Sequence, residues 1–209
     1  MISSGRRPGA VFIDRDGVIC ANRSDYVKTW SEFEFISGSI EALASLRRTG
    51  ERLVVVTNQS AVGRGLLSRR GLDVIHERML DALGASGAKV EAVVVCPHHP
   101  DDGCACRKPE PGLLADAADR LKLDLSLSFM IGDHRTDIEA GARAGCTTIL
   151  VRTGRSARIE RADPAGWPVP PDFVGDDLVD AALWLLAQRA VQAAGGRLPS
   201  HGSAEVNRR

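Results

Sequence analysis

The sequence predicts an α/β fold, a Rossmann-like, doubly wound parallel sheet with helices on both faces. Three observations carry that expectation. Short β-branched apolar runs alternate with segments whose apolar residues recur at helical spacing. The runs are apolar on both faces, as parallel strands covered by helices are. Polar residues stand at the ends of four of them, Asp14, Thr57, Cys96 and Asp133, the rim where such sheets bind ligands.

Taken in order, Ala10–Ile13 is the first strand, running into Asp14. Ser39–Arg48 is a helix with Ile40, Leu43, Ala44 and Leu46 apolar and a stop at Gly50. Leu53–Val56 is the second strand, ending at Thr57. Ser68 suits the cap of a helix whose apolar face is Leu72, Ile75, Met79, Leu80 and Leu83. Val90–Val95 is the third strand. Pro111 fits the first turn of a helix carrying Leu113, Leu114, Ala117 and Leu121. Phe129–Ile131 is the fourth strand. Thr136 and Glu139 have capping-box spacing for a helix that stops near Gly145. Thr147–Val151 is the fifth strand. Residues 155–174, rich in Arg, Asp and Pro, predict an irregular connection, and Asp176–Ala193 a last helix. The expected organisation is an N-terminal extension (1–9), a single domain (10–194) and a polar, disordered tail (195–209).

Composition narrows the function classes. The chain has 209 residues, 44% hydrophobic and 26% charged, with a formal net charge of zero. Such a chain fits one globular domain and lacks a global field for nucleic acid or an anionic membrane. No apolar run approaches the ~20 residues of a membrane span, and the N-terminus has no signal-peptide pattern. The expectation is a cytoplasmic monomer without nucleic-acid or membrane partners. The five cysteines, at 20, 96, 104, 106 and 146, are odd in number and clustered, which suggests a metal site rather than a disulfide framework.

Four motifs sit at the strand ends. Asp14-Arg15-Asp16-Gly17 places two carboxylates after a buried strand, costly there unless paired or metal-bound. Thr57-Asn58-Gln59-Ser60 offers hydroxyls, amides and backbone N–H groups to a phosphate. Arg107-Lys108-Pro109 adds cations, and Gly132-Asp133-His134-Arg135-Thr136-Asp137 adds a strand-end and a first-turn carboxylate. Each alone has an ordinary reading as a turn, a solvated charge pair or a helix start.

In this order the four motifs resemble those of the haloacid dehalogenase (HAD) superfamily, over roughly residues 10–152. Phe33-Glu34-Phe35, Thr57–Gly65 and Cys96-Pro97-His98 are most similar to the heptose 1,7-bisphosphate 7-phosphatase branch, with histidinol-phosphate phosphatases as the related alternative. The resemblance implies a HAD-like fold and hydrolysis of a phosphorylated sugar in nucleotide-activated heptose synthesis. It implies Asp14 as nucleophile and Asp16 as general acid and base. Asp14, the Asp16 carbonyl and Asp133 would hold Mg²⁺. Thr57, Asn58 and Lys108 would bind the transferring phosphoryl group. Asp137 would fix Lys108 or a metal-bound water. Position 134 departs from the pattern, which often has Lys there; His134 is kept as a substrate-side candidate.

Cys96, His98, Cys104 and Cys106 match a structural Cys₃His zinc site, and the zinc-bearing branch has ligands in this order. His99 is the rival imidazole. Cys20 and Cys146 read as buried thiols, and His76 as a surface or core residue rather than a ligand. The stretches between Gly17 and Thr57 and between Thr57 and Arg107 leave no room for a large cap domain. Loops should roof the site, with Asn22, Asp25, Tyr26, Gln59, Ser60, Arg64 and Arg107 as substrate contacts, and Arg23 more simply solvated. A reading from another class, a non-catalytic zinc-stabilised binding module, has no need of Asp14, Asp16, Lys108 and Asp133 together.

Overall fold

The computed structural model describes residues 7–154 and 164–195. Six parallel strands, β1 (Val11–Ile13), β2 (Leu53–Asn58), β3 (Val90–Cys96), β4 (Phe129–Gly132), β5 (Thr147–Val151) and β6 (Phe173–Gly175), lie in the order β3-β2-β1-β4-β5-β6. Among the described residues, six α-helices accompany them: α1 (Ser39–Arg48), α2 (Ser60–Gly63), α3 (Arg69–Ala85), α4 (Gly112–Leu121), α5 (Arg135–Arg143) and α6 (Leu178–Ala193). Residues 1–6, and the tail expected from residue 195 apart from Gly195, lie outside the described residues, so the outer domain limits stay expectations.

Period-two alternation sorts the core into two layers. Val11, Ile13, Val55 and Ile131 face α1, α3 and α6 through Leu43, Leu46, Leu72, Ile75, Met79 and Leu185. Phe12, Val54, Val56 and Met130 face α4 and α5 through Leu113, Leu114, Ala117 and Ala140. Both faces are covered, which is why the strands read as continuous apolar runs. Arg189 of α6 reaches Glu51 through two bonds of 2.7 and 2.9 Å, tying the last helix to the start of β2.

The chain runs outward from β1 to β2 and β3, then returns to lay β4 against the other side of β1. That reversal places the carboxyl ends of β1 and β4 side by side, at the switch point where open α/β sheets bind ligands. Asp14 N–H donates to the Ile131 carbonyl of β4 at 2.9 Å, carrying the pairing to the first motif residue.

Several sequence expectations need correction. β2, β3 and β4 run slightly further than read, through Asn58, Cys96 and Gly132. The connection 155–174 is not wholly irregular: its end begins β6, a three-residue edge strand too short to show a pattern beside its prolines. Within the Thr57–Gly65 stretch, Ser60–Gly63 forms a helical turn. The α5 cap is His134 with Asp137, not Thr136 with Glu139; His134 Nδ1 accepts from Thr136 N, and Asp137 Oδ2 accepts from His134 N. An imidazole can take the acceptor role usually filled by Ser, Thr or Asp. Ser68 caps α3 as expected, accepting from Gly71 N at 3.0 Å. No helix of the described residues is long and apolar enough to cross a membrane.

Candidate active site

A cleft of about 470 Å³ opens over the carboxyl ends of the strands, with Asp14, Asp16, Lys108, Asp133 and Asp137 in its lining. Lys108 is 3% exposed, and its ammonium is fully engaged. Nζ donates to Asp14 Oδ1 at 2.7 Å and to the Val56 carbonyl at 2.9 Å, and pairs with Asp137 Oδ1 at 2.6 Å. Burial works against its charge, but Asp137 and Asp14 outweigh that and raise its pKa. Asp14 is the less settled partner. Burial pushes it up to about 6 despite Lys108, and the neighbouring charges of Asp137 and Asp16 add to the rise.

Two glycines and a threonine shape the floor. Gly17 has φ +89°, and a Cβ on it would collide with the Asp133 carboxylate. Gly154, beyond β5, packs on Gly17, and a Cβ on it would collide with the same carboxylate. Thr153 Oγ1 donates to the Gly17 carbonyl at 2.6 Å. The rim after β5 therefore joins the four strand ends that the sequence singles out; nothing in the local sequence marked it.

Asp16 is held from several sides. Arg15 Nη2 donates to both of its oxygens, at 2.8 and 2.9 Å, and Gln59 Nε2 donates at 2.6 Å. Burial alone would raise the Asp16 pKa; Arg15 and the hydrogen bonds from Gln59 and Cys20 bring it below the ordinary value.

The structure sorts the remaining sequence candidates. Asn22, Tyr26, Ser60, Arg64, Arg107 and His134 line the cleft, and so does Arg23, which was expected to be merely solvated. The Tyr26 hydroxyl lies by Ser60 and Arg64, whose hydrogen bonds and charge draw its pKa down. Arg107 Nη1 is buried without a hydrogen-bond partner, a donor aimed at no protein group. Asp25 lies off the cleft, exposed and paired with Arg23 and Lys28 at 3.1 and 2.8 Å, because its neighbours in the same loop satisfy it first. Thr57 is 1% exposed, beneath the cleft wall, and accepts from Gln59 at 2.9 Å. Gln59 lines the cleft, yet its amide N–H groups are committed to Asp16 and Thr57. Asn58 grips the backbone of Lys108 through two bonds of 3.1 Å, which makes it a holder of that lysine. Sequence reasoning missed Arg15 and passed over His76, whose Nε2 lies 3.0 Å from Arg15 Nη1; no spacing signal links positions that far apart.

Among the described residues, two clusters can hold metals. Carboxylate oxygens of Asp14, Asp133 and Asp137 lie within 4.8 Å of one another. Both Asp137 oxygens already accept, from Lys108 and from His134 N–H. Asp14 and Asp133 bring further carboxylate oxygens to this cluster, the kind of donor a hard cation such as Mg²⁺ takes.

In the second cluster, Cys96 Sγ and Cys106 Sγ each lie 3.6 Å from Cys104 Sγ, and His98 Nδ1 lies 3.5 and 3.2 Å from Cys96 and Cys106 Sγ. Tetrahedral zinc with Zn–S of ~2.3 Å and Zn–N of ~2.0 Å sets such donors ~3.5–3.8 Å apart. The donor set and its edges fit zinc. His99 turns away to accept from Asp101 N at 3.3 Å. The other two cysteines, Cys20 and Cys146, are buried.

Comparison with known proteins agrees with this geometry. The HAD-hydrolase-like family model matches residues 105–181. The D-glycero-beta-D-manno-heptose-1,7-bisphosphate 7-phosphatase of Pseudomonas aeruginosa is 40% identical over 177 residues, 84% of this chain and 97% of that protein. The chain belongs to this family of HAD phosphatases. The Bordetella bronchiseptica relative of the same name is 42% identical over 71% of this chain and 83% of its own length. The D,D-heptose 1,7-bisphosphate phosphatase of B. bronchiseptica, crystallised with magnesium and phosphate, superposes with a TM-score of 0.80 at 39% identity, covering 86% of this chain and 99% of its own. The cleft lies at the β1–β4 switch point of this fold, with Asp14 following β1 and Asp133 following β4.

Proposed function

We propose that this chain is a Mg²⁺-dependent phosphomonoesterase that removes the 7-phosphate of D-glycero-β-D-manno-heptose 1,7-bisphosphate, in the synthesis of nucleotide-activated heptose. One observation carries the reading: a buried carboxylate at the end of β1, Asp14, is met by the fully engaged ammonium of Lys108 on the floor of a cleft whose wall carries arginines. The relatives 40% and 42% identical to this chain carry this activity in their names.

Asp14 attacks phosphorus in line with the C7 oxygen, and the P–O bond to the sugar breaks. The phosphoryl group passes to Asp14 as an acyl phosphate. Asp16 gives its proton to the departing C7 oxygen, then takes one from the water that hydrolyses the acyl phosphate. The Arg15 pairing keeps Asp16 ionised in the resting cleft, and the negative charge of an arriving phosphate shifts it back towards the protonated form. Lys108 lies against Asp14 and meets the charge that develops on the phosphoryl oxygens. Mg²⁺ on Asp14, the Asp16 carbonyl and Asp133 would neutralise charge on the phosphate when bound. Arg107, with a buried N–H lacking a protein partner, and Arg64 suit the phosphate that stays on the sugar.

Zinc on Cys96, His98, Cys104 and Cys106 would fill all four positions and act structurally. The single domain would span residues 10–194, with 96–106 as its zinc loop.

The test offers the purified protein the heptose bisphosphate and histidinol phosphate side by side, with Mg²⁺. The expected result is stoichiometric release of the 7-phosphate and at least ~10²-fold preference for the bisphosphate, since buried donors left unpaired by the other substrate cost that much. Preference for histidinol phosphate, or no turnover of either, overturns the reading.

A further inference from the structure

We infer that His76 and Arg15 are positioning residues of the acid–base carboxylate: the buried imidazole of His76 holds the Arg15 guanidinium so that its fork fixes the Asp16 carboxylate. This rests on the role given to Asp16 above. Arg15 is 0% exposed and His76, on α3, is 6% exposed. Arg15 Nη2 faces both Asp16 oxygens at 2.8 and 2.9 Å, while Nη1 points the other way, 3.0 Å from His76 Nε2.

The chemistry of the contact settles its direction. A guanidinium only donates and stays protonated. His76 Nε2 must therefore accept, so its ring is neutral with the proton on Nδ1. The surroundings agree: burial, then the Arg15 charge, pull the His76 pKa down to about 3. The Phe33 ring lies 6.0 Å from the guanidinium carbon and is itself stacked on Trp30 at 5.1 Å. One ring and one imidazole thus bracket the arginine.

Stability alone does not account for this arrangement. Taking a guanidinium out of water is expensive, and an apolar side chain of similar volume in such a place is often neutral or stabilising. A charged fork that is buried, oriented by a second buried polar group and aimed at a carboxylate of the cleft fits a positioning device better than a packing one. Gln59 completes it, joining Asp16 to Thr57 from the opposite side.

A loosened Asp16 leaves a kinetic signature that general loss of packing does not. p-Nitrophenolate leaves without a proton, so phosphoryl transfer from its ester to Asp14 does not need Asp16; hydrolysis of the acyl phosphate does. His76→Leu removes the acceptor and keeps an apolar filler. With Mg²⁺ and p-nitrophenyl phosphate it should give a burst of one p-nitrophenol per site, then a steady rate ~10–100-fold below wild type, the usual cost of removing a group that orients a site residue. On the heptose ester, where both steps need Asp16, kcat should fall without a burst and KM should stay within about twofold. His76→Gln, whose amide oxygen can still accept from Arg15, should stay within about threefold of wild type. Should His76→Leu not fold by circular dichroism, Arg15→Lys, which keeps the charge and loses the fork, carries the same expectation.

Wild-type kcat in the folded variant overturns the inference, and so does an equal loss of both phases, or His76→Gln as impaired as His76→Leu. A wild type that forms no phosphoenzyme, or an Asp16→Asn variant with normal turnover, instead condemns the site reading on which the inference stands.

Discussion

The two clusters able to hold metals are built in opposite ways. The carboxylate cluster stands at the ends of β1 and β4 and the start of α5, with Asp14, Asp133 and Asp137 all buried. Its charges are met by Lys108, so the protein organises that cluster with its own groups. The cysteine cluster begins at the end of β3, but Cys104 and Cys106 lie on a half-buried loop of Gly, Asp and Pro. Cys104 and Cys106 pack only partly buried against the core layer beneath α4. The sheet positions the first cluster, and in the proposed reading zinc would position much of the second. Lys108 belongs to both regions, since it follows the cysteine loop by two residues and ends on Asp14.

The largest effect should come from the carboxylate side. Asp14→Asn is nearly isosteric and should cut kcat by more than ~10⁴-fold, the scale of nucleophile knockouts, with circular dichroism unchanged. Residual activity within about tenfold of wild type would mean that another group attacks.

Next, Lys108→Met should lower kcat by ~10²–10³-fold, as losing a charge-stabilising donor does. It also leaves two buried carboxylates unpaired, so thermal unfolding should show a loss of ~3–5 kcal/mol. A loss of activity at unchanged stability would show that Lys108 does not hold the cluster together in the free protein.

On the sulfur side, Cys106→Ser should lose zinc by elemental analysis and ~10²-fold in rate, because a displacement of ~1 Å in Lys108 suffices for that. The sheet should remain folded. Normal turnover without zinc would mean that Asn58, which grips the Lys108 backbone, does the positioning alone.

The smallest effect separates the regions by pH. His76 is held neutral by burial and by Arg15, with Asp16, Asp73 and Arg69 as the other charges facing it. Its folded pKa of about 3 lies below the ordinary 6.5, so the unfolded chain binds more protons between those values. Its share of stability is therefore complete above pH 6.5 and is lost as pH falls towards 3. Chemical denaturation of wild type against His76→Gln across that window should show a steeper decline in the wild type; parallel declines would contradict the assignment.

Much of this was legible in the sequence. Strand ends announced themselves because a buried apolar run that stops at Asp or Thr leaves a polar group at the rim. The cysteine cluster was legible because Cys and His so closely spaced suggest a metal site rather than a disulfide framework, and the fold brings Cys96, His98, Cys104 and Cys106 together. What escaped was whatever depends on contacts across the fold. Asn58 and Gln59 read as phosphate binders, yet they bond to Lys108 and Asp16. His76 met Arg15 only once α3 was laid on the sheet. β6 escaped because three residues beside prolines carry no period.

In the proposed reaction the phosphoryl group passes through Asp14. The most direct measurement mixes enzyme, Mg²⁺ and heptose bisphosphate, quenches in acid within one turnover, reduces with borohydride and sequences the peptides by mass spectrometry. The account predicts homoserine at position 14, the product of a reduced aspartyl phosphate, and none in Asp14→Asn. Reduction at another carboxylate, or turnover with position 14 left as aspartate throughout, would contradict it.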